Sequence, residues 1–389
     1  MVMKWILYCL GGLAAIVVIL IFVAQMYVGG VNVPLGEGKV DADLLARRIV
    51  LPAGFDFAVY YADIANARII RFTDGGELLV ANPNLGRIMV LQRDDDGDGQ
   101  ADGKRLLIDG LNGPNGLDFY KEWLYIAETD AIGRVPFDHQ SGTLTGEYER
   151  IVTDLPGGGN HWKKTLLFGP DGLIYVTFGS SCNVCDEQDK RRAAMLRYRP
   201  DGSGEEILAT GLRNSAGFDW SPLDGQIYAT DNGRDMLGDD YPPCELNKIE
   251  PGKFYGWPYA NGNNDPDPDM GEGKERDIAA ATPIIHGFRA HTAPLGIIFL
   301  RSRQLPEEYR GAALVALHGS WNRSEKDGYE VVSLHWDEAG QIEERPFMTG
   351  FLLDDEAIGR PAELTEGPDG SIYVADDYAG AIYRVSHRD

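Results

Sequence analysis

A chain of 389 residues, 43% of them hydrophobic, is long enough to bury an extensive core, and its 48 glycines and 21 prolines suit many tight turns better than long helices. The formal charge of -24 excludes nucleic acid and anionic membrane surface as principal partners, because both repel an acidic protein. A neutral ligand, or an anionic one met by local cations, fits that balance.

The first element in chain order is an uncharged run at residues 5–24, WILYCLGGLAAIVVILIFVA, of the length that crosses a bilayer as a helix. No small-x-small cleavage site follows it, and Lys4 alone flanks it on the N-terminal side, which favours an N-inside anchor. Residues 1–28 are therefore read as a transmembrane anchor or signal segment, with the rest of the chain on the periplasmic or other extracytoplasmic face. Residues 29–50 form a linker with a short helical piece around 41–48, and 51–389 are the folded domain. In an oxidising compartment a disulfide is the plain reading of Cys182 and Cys185, with metal binding the alternative; Cys244 is then unpaired.

Within 51–389 one unit returns six times: a strand, a turn, and a second strand ending in a polar residue. The copies are FTDGGELLVAN (72–82), LDFYKEWLYIAETD (117–130), LLFGPDGLIYVTFG (166–179), FDWSPLDGQIYATD (218–231), IIFLRSRQLPEEYRGAALVALHG (297–319) and LTEGPDGSIYVADD (364–377). Alternation on either side of a turn marks each as a hairpin, with Asp-Gly at the turn in four of the six and a longer turn in 297–319. Their spacing of about 45–60 residues is that of four-stranded propeller blades. The expected architecture is all-β, a six-bladed β-propeller, with residues 235–276 as one large inserted loop; a β-sandwich is the alternative.

In an up-and-down hairpin the entry and exit share one end. The residues flanking the hairpins thus gather on one face, and the Asp-Gly turns on the other. That face collects Asn82, Arg87, Asn112, Asn115, Glu128, His161, Ser180, Arg213, Asn214, Asp231, Asn232, Arg234, His291, His318, Trp321, Asn322, Arg323, Arg360, Asp376 and Asp377. Arg87, Arg213, Arg234, Arg323 and Arg360 supply planar forks suited to carboxylates or phosphates, so a small polyanionic ligand is expected. His161 is the candidate proton acceptor and His318 a ligand contact. Calcium is suggested at two places. One is the acidic loop with Asp94, Asp96, Asp98 and Asp102, which lacks the closing Glu of an EF-hand. The other is TDNGRD (230–235) at the mouth.

Five stretches together resemble a known family: NHWKKTLLFGPDGLIYVTFGSSCNVC, GLRNSAGFDW, TDNGRDMLGDD followed by ELNKIEPGKFYGWP, LHGSWNRS, and GRPAELTEGPDGSIYVADD. They are similar to the quinoprotein sugar dehydrogenases, six-bladed propellers that use pyrroloquinoline quinone, and within them to the L-sorbosone and pyranose dehydrogenase branch. The resemblance covers roughly residues 51–386. It implies that His161 is the general base and that Arg213 and Asn214 lie at the quinone. It also implies that the backbone carbonyls of Gly233 and Arg234 bind a calcium at the cofactor, and that Arg360 holds a cofactor carboxylate. Soluble glucose dehydrogenases place a lysine where Asn322 falls and a second arginine where Ala362 falls. Arg323, His318 or Arg87 are the expected substitutes, which favours the sorbosone or pyranose branch.

The expectation is an exported, membrane-anchored oxidoreductase acting on a sugar or sugar-derived aldehyde and passing electrons to a respiratory quinone or cytochrome. Two other readings stay open. One is a calcium-dependent lactonase or esterase with Glu128, Asp231 and Asn232 as ligands; the other is a non-enzymatic propeller that binds carbohydrate.

Overall fold

The computed structural model describes residues 30–32 and 41–388. The hydrophobic run at 5–24 lies outside them, and among the described residues no helix is long and apolar enough to cross a membrane. A seven-residue helix, α1 (Ala42–Arg48), stands where the linker was expected to turn helical, its first turn capped by the Asp41 carboxylate on the Leu44 N–H at 2.8 Å.

The strand at Leu78–Asn82 shows how the sheets are stacked. All five residues are buried, but by parity. Leu78 and Val80 pack with Tyr60, Tyr373 and Ile382, whereas Leu79 and Ala81 pack with Leu117, Leu124 and Ile126. A period of two therefore feeds two cores, one on each face of the sheet. Six antiparallel sheets of this kind form a ring: blade 1 (69–108), blade 2 (116–152), blade 3 (166–210), blade 4 (218–288), blade 5 (294–348) and blade 6 (361–387). Each of six apolar clusters lies between two adjacent blades. The fourth strand of blade 6 is the N-terminal Phe55–Tyr61, paired with Ala381–His387, so that both ends of the domain close one sheet. The β-propeller expectation holds.

The first strand of each blade is innermost. These strands touch one after another from blade 4 through 5, 6, 1 and 2 to blade 3, around a central channel. Three junctions are stitched by carboxylates: Asp118 accepts the Phe168 N–H at 2.6 Å, Asp219 the Phe299 N–H at 2.7 Å, and Glu366 the Arg301 N–H at 3.0 Å.

The six sequence copies are the first two strands of the six blades. The inserted loop is a correction. Residues 235–276 do not form one excursion, because Cys244–Ile249 is threaded through them as the third strand of blade 4. The alternation of CELNKI was masked by the prolines and glycines on either side. Beyond that strand the chain forms a short hairpin (Ala260–Asn261 with Asp265–Pro266) and helix α2 (Glu275–Ala280) before His286–Phe288 completes the sheet.

Candidate active site

His161 is set by the hairpin that comes after it. Its backbone N–H donates to the Ser180 carbonyl at 3.2 Å, and a Cβ on Gly179 would come within 2.4 Å of the His161 Cβ, so the imidazole needs glycine at that position. The Ser180 hydroxyl donates to the Cys182 carbonyl at 2.7 Å, which commits its one proton. His161 Nδ1 stands 2.8 Å from that same hydroxyl oxygen and 3.2 Å from the Ser180 carbonyl, both of them acceptors. Nδ1 therefore carries the hydrogen and Nε2 keeps its lone pair. Burial first, and then the Arg213 and Arg192 guanidiniums, lower the His161 pKa to about 3. The ring is neutral at ordinary pH, the form that accepts a proton. The loop beyond it is clasped by the Cys182–Cys185 disulfide, and Cys244 is a buried free thiol.

A cavity of about 260 Å³ opens beside this imidazole, lined among others by Arg68, Asn115, His161, Lys163, Asn214 and Glu363. Its wall at the entries to blades 1 and 3 is cationic, with Arg68 and Lys163. Arg68 pairs with Asp377 at 2.6 Å, and His318 Nε2 lies 2.7 Å from the other oxygen of that carboxylate. Although burial works against it, Asp377 is held well below the usual carboxylate range by His318 and Arg68. Arg360 donates to the carbonyls of His318 and Gly319, both at 3.0 Å. Lys163 has no hydrogen-bonded or ion-paired partner among the described residues; burial, and then Arg68, push its pKa down to about 7. Arg68, Lys163 and Arg360 thus face Asp377 as their common anion, a surplus of positive charge on a ligand-sized space.

Glu363, 6% exposed, lines the same cavity. Its Oε1 accepts the Leu364 N–H at 3.3 Å, and burial lifts its pKa from 4.5 to about 7 despite Arg71 and Arg68. A folded-state pKa above the unfolded one means stability that is fully present below about pH 4.5 and is lost as pH rises through about 7. Glu363→Gln is therefore expected to be neutral at pH 4 and stabilising by roughly 3 kcal/mol at pH 8. Urea unfolding at the two pH values checks this, and equal effects at both would refute it.

Behind His161, Arg213 reaches into the loop after Ile227–Asp231. It donates to the carbonyls of Asn183, Asn232 and Gly233 at 2.9, 3.0 and 2.9 Å, and pairs with Asp235 at 2.9 Å. Asn214 shares the cavity with His161, and its N–H donates to Asp231. Asp231 lies opposite Glu245 across adjacent strands. Burial, with Glu245 beside it, raises Asp231 well above its ordinary value, and burial lifts Glu245 to about 7. Between them, a void of about 10 Å³ is lined also by Asn232, Gly233 and Asn261, and by Arg213 and Arg234, whose guanidiniums are paired to Asp235 and to Asp267 and Asp269. Two buried acids with amide and carbonyl oxygens around an ion-sized hole are a donor set for a hard divalent cation.

Of the residues expected at the site, His161, Asn214, Arg213, His318 and Arg360 are gathered here. Others are engaged elsewhere. The Arg234 guanidinium is bound to Asp267 at 2.6 Å and Asp269 at 2.8 Å, although the residue itself lines the void beside Asp231 and Glu245, where its backbone carbonyl was expected. Arg323 donates to the Asp239 carbonyl and pairs with Asp240 at 3.0 Å. The Asn322 amide takes the Met236 N–H at 2.7 Å and donates to the Gly30 carbonyl at 2.9 Å. Arg87 donates to Asn82 at 3.4 Å and does not line the cavity. Charge where Ala362 falls comes instead from Arg68 and Lys163. In the acidic loop Asp94, Asp96 and Asp102 bring carboxylate oxygens within 4.8 Å of one another, without Asp98. Glu128 holds Arg150 through both oxygens at 2.7 and 2.9 Å. Arg68, Lys163, Glu245 and Glu363 were not foreseen. Arg68 stands at the entry to a first strand, as His161 does, but the copy in blade 1 was begun at Phe72, after that strand's start.

A family model described as Glucose / Sorbosone dehydrogenase matches residues 120–384. The aldose sugar dehydrogenase YliI of Escherichia coli is 25% identical over 321 residues, covering 74% of this chain and 79% of the relative. Among solved structures, a calcium structure of a Trichoderma reesei carbohydrate-active enzyme of family AA12 superposes with a TM-score of 0.77 at 19% identity, over 88% of this chain and 97% of that one. The holo form of the pyranose dehydrogenase PQQ domain from Coprinopsis cinerea gives 0.74 at 20% identity, over 92% and 100%. At these identities the structures speak for the fold.

Proposed function

Because this chain belongs to the glucose/sorbosone dehydrogenase family, we propose that it oxidises a sugar or sugar-derived aldehyde with pyrroloquinoline quinone and calcium, His161 being the general base. The observation that carries this is the neutral His161, its Nε2 lone pair free, in one cavity with the cationic wall of Arg68 and Lys163. The residues fit the group: a planar tricarboxylate needs several cations with few competing anions, and among the described residues Lys163 makes no hydrogen bond or ion pair to give up, only an approach to the Trp162 ring at 5.6 Å. Arg68, Lys163 and Arg360 would hold the carboxylates and Asn214 the carbonyl edge, with Arg213 behind it adding positive charge while its N–H groups stay on Asn183, Asn232, Gly233 and Asp235. Asp231, Glu245 and the Gly233 carbonyl would hold calcium. When bound, the quinone supplies the hydride acceptor.

The chain's own part is proton transfer. A substrate hydroxyl in the cavity donates to His161 Nε2, and its proton moves there as the C–H bond is broken. The hydrogen bond from Nδ1 to Ser180 fixes the ring plane and tautomer, so the lone pair stays aimed. Asp377 holds Arg68 and His318 in place without neutralising the wall. We further propose that the chain is exported and anchored by residues 5–24, and that a respiratory acceptor reoxidises it.

The lactonase reading loses a ligand, since both Glu128 oxygens are spent on Arg150. The test is reconstitution: apo-protein is given pyrroloquinoline quinone and calcium, an aldose panel and an artificial electron acceptor. We expect a bound-quinone absorption change and dye reduction. Absence of both would sink the proposal, and tight glycan binding without turnover would favour a carbohydrate-binding propeller.

A further inference from the structure

Three residues of the expected linker are fastened to the rim of the channel. The Gly30 N–H donates to Asp239 at 2.9 Å and its carbonyl accepts from the Asn322 amide at 2.9 Å. The Asn32 N–H donates to the Trp321 carbonyl at 2.7 Å. The Asn32 side chain donates to Asp355 and accepts from Lys326, each at 2.8 Å. Gly30 is buried, and a Cβ there would stand 2.3 Å from the backbone N and Cα of Ser324, so the strap sits in a slot cut for glycine.

These partners belong to the mouth face. Trp321 and Asn322 follow the second strand of blade 5 (Ala313–Leu317), as Ser180 follows that of blade 3. Asn322 also takes the Met236 N–H, and the neighbouring Asp235 pairs with Arg213. The strap is thus joined through short hydrogen bonds to the loops that build the site. It is not attached to the Asp-Gly face.

Residues 25–29 alone separate the hydrophobic run from Gly30. At up to ~3.5 Å per residue they span at most about 17 Å. A globular carrier of about 100 residues has a radius of gyration near 13 Å, hence a diameter of roughly 30 Å, and does not fit in such a gap. Val31, 60% exposed, adds an apolar side chain on the same side.

We propose that the strap turns the channel mouth towards the bilayer, so that the site is reoxidised by a lipid-dissolved quinone and not by a soluble protein carrier. This rests on the anchor and dehydrogenase readings given above. Each substrate oxidation leaves two electrons and two protons to be removed, and the lipid quinone takes up both pairs to become the quinol.

The test uses the full chain in phosphatidylcholine nanodiscs, in a Cys9→Ser background. Single labels are placed through Glu325→Cys at the mouth end of blade 5 or Glu338→Cys at its other end; both positions are exposed. With a headgroup nitroxide as quencher, the label at 325 is expected to be quenched several-fold more than that at 338, and Gly30→Leu to abolish the difference. With pyrroloquinoline quinone, calcium and sugar, Gly30→Leu should slow reduction of a disc-embedded quinone several-fold while dye reduction is unchanged. Equal quenching at 325 and 338, or equal quinone reduction by the Gly30→Leu variant, would overturn the orientation. Protein that stays out of the discs overturns the anchor and this inference with it. The labels report orientation even if no sugar is oxidised, so failure of the activity is seen separately.

Discussion

His161→Ala is expected to lower kcat by about 10²–10⁴-fold, the usual worth of a positioned general base, while the quinone still binds. The cations that would hold the carboxylates come from Arg68, Lys163 and Arg360, and none of them hydrogen-bonds to the imidazole. Quinone titration by absorbance and steady-state kinetics on the same sample separate the two effects. An unchanged kcat would remove His161 from the mechanism, and loss of quinone binding would make it a structural residue. Ser180→Ala should act in the same direction but more weakly, because Nδ1 retains the Ser180 carbonyl as acceptor.

Arg150→Ala is expected to destabilise the fold by about 3 kcal/mol, the low end for breaking a buried ion pair, since the arginine side chain is itself 46% exposed. The Glu128 side chain is fully buried and would keep only the Asn112 N–H and the Tyr148 hydroxyl. In the parent, burial opposes ionisation of Glu128, but Arg150, the Asn112 N–H and Tyr148 together lower its pKa. A lowered folded-state pKa gives stability that is present above the unfolded value near 4.5 and is lost as pH falls through the folded one. The deficit of the variant should therefore be largest near neutrality and shrink towards pH 3. Urea unfolding across that range measures it, and a pH-independent deficit would show that Glu128 is not charged in the native protein.

The blades were legible in the sequence because each hairpin carries its own turn chemistry, with GPDG at 169–172 and 367–370 as the clearest cases. The same reasoning reached His161, Asn214, His318 and Arg360, which flank hairpins or lie in the motifs. It could not rank arginines. Arg234 and Arg360 look alike as letters, yet one is neutralised by Asp267 and Asp269 while the other donates only to carbonyls beside the cavity. Partnership across more than 30 residues is decided by how the chain folds back, and no local pattern encodes it. Glu363 was hidden differently, sitting inside a first strand whose alternation reads as ordinary β structure. That its neighbours would bury it against Arg68 and Arg71 is a product of ring closure, not of spacing.

The closing pair Phe55 with His387 has a temporal side. A chain made from its N-terminus carries an unpaired edge strand from residue 61 until residue 387 has been delivered. Such long-range pairing is slow and leaves an open edge exposed in the meantime. Blades 1 to 5 can assemble their own sheets first, but the junction between blades 5 and 6, built around Leu45, Phe55, Phe347 and Tyr383, waits for Phe55–Tyr61 and Ala381–His387 together. Ring closure is therefore gated by delivery of the strand Ala381–His387, and a deletion that removes it bears directly on whether the ring ever closes.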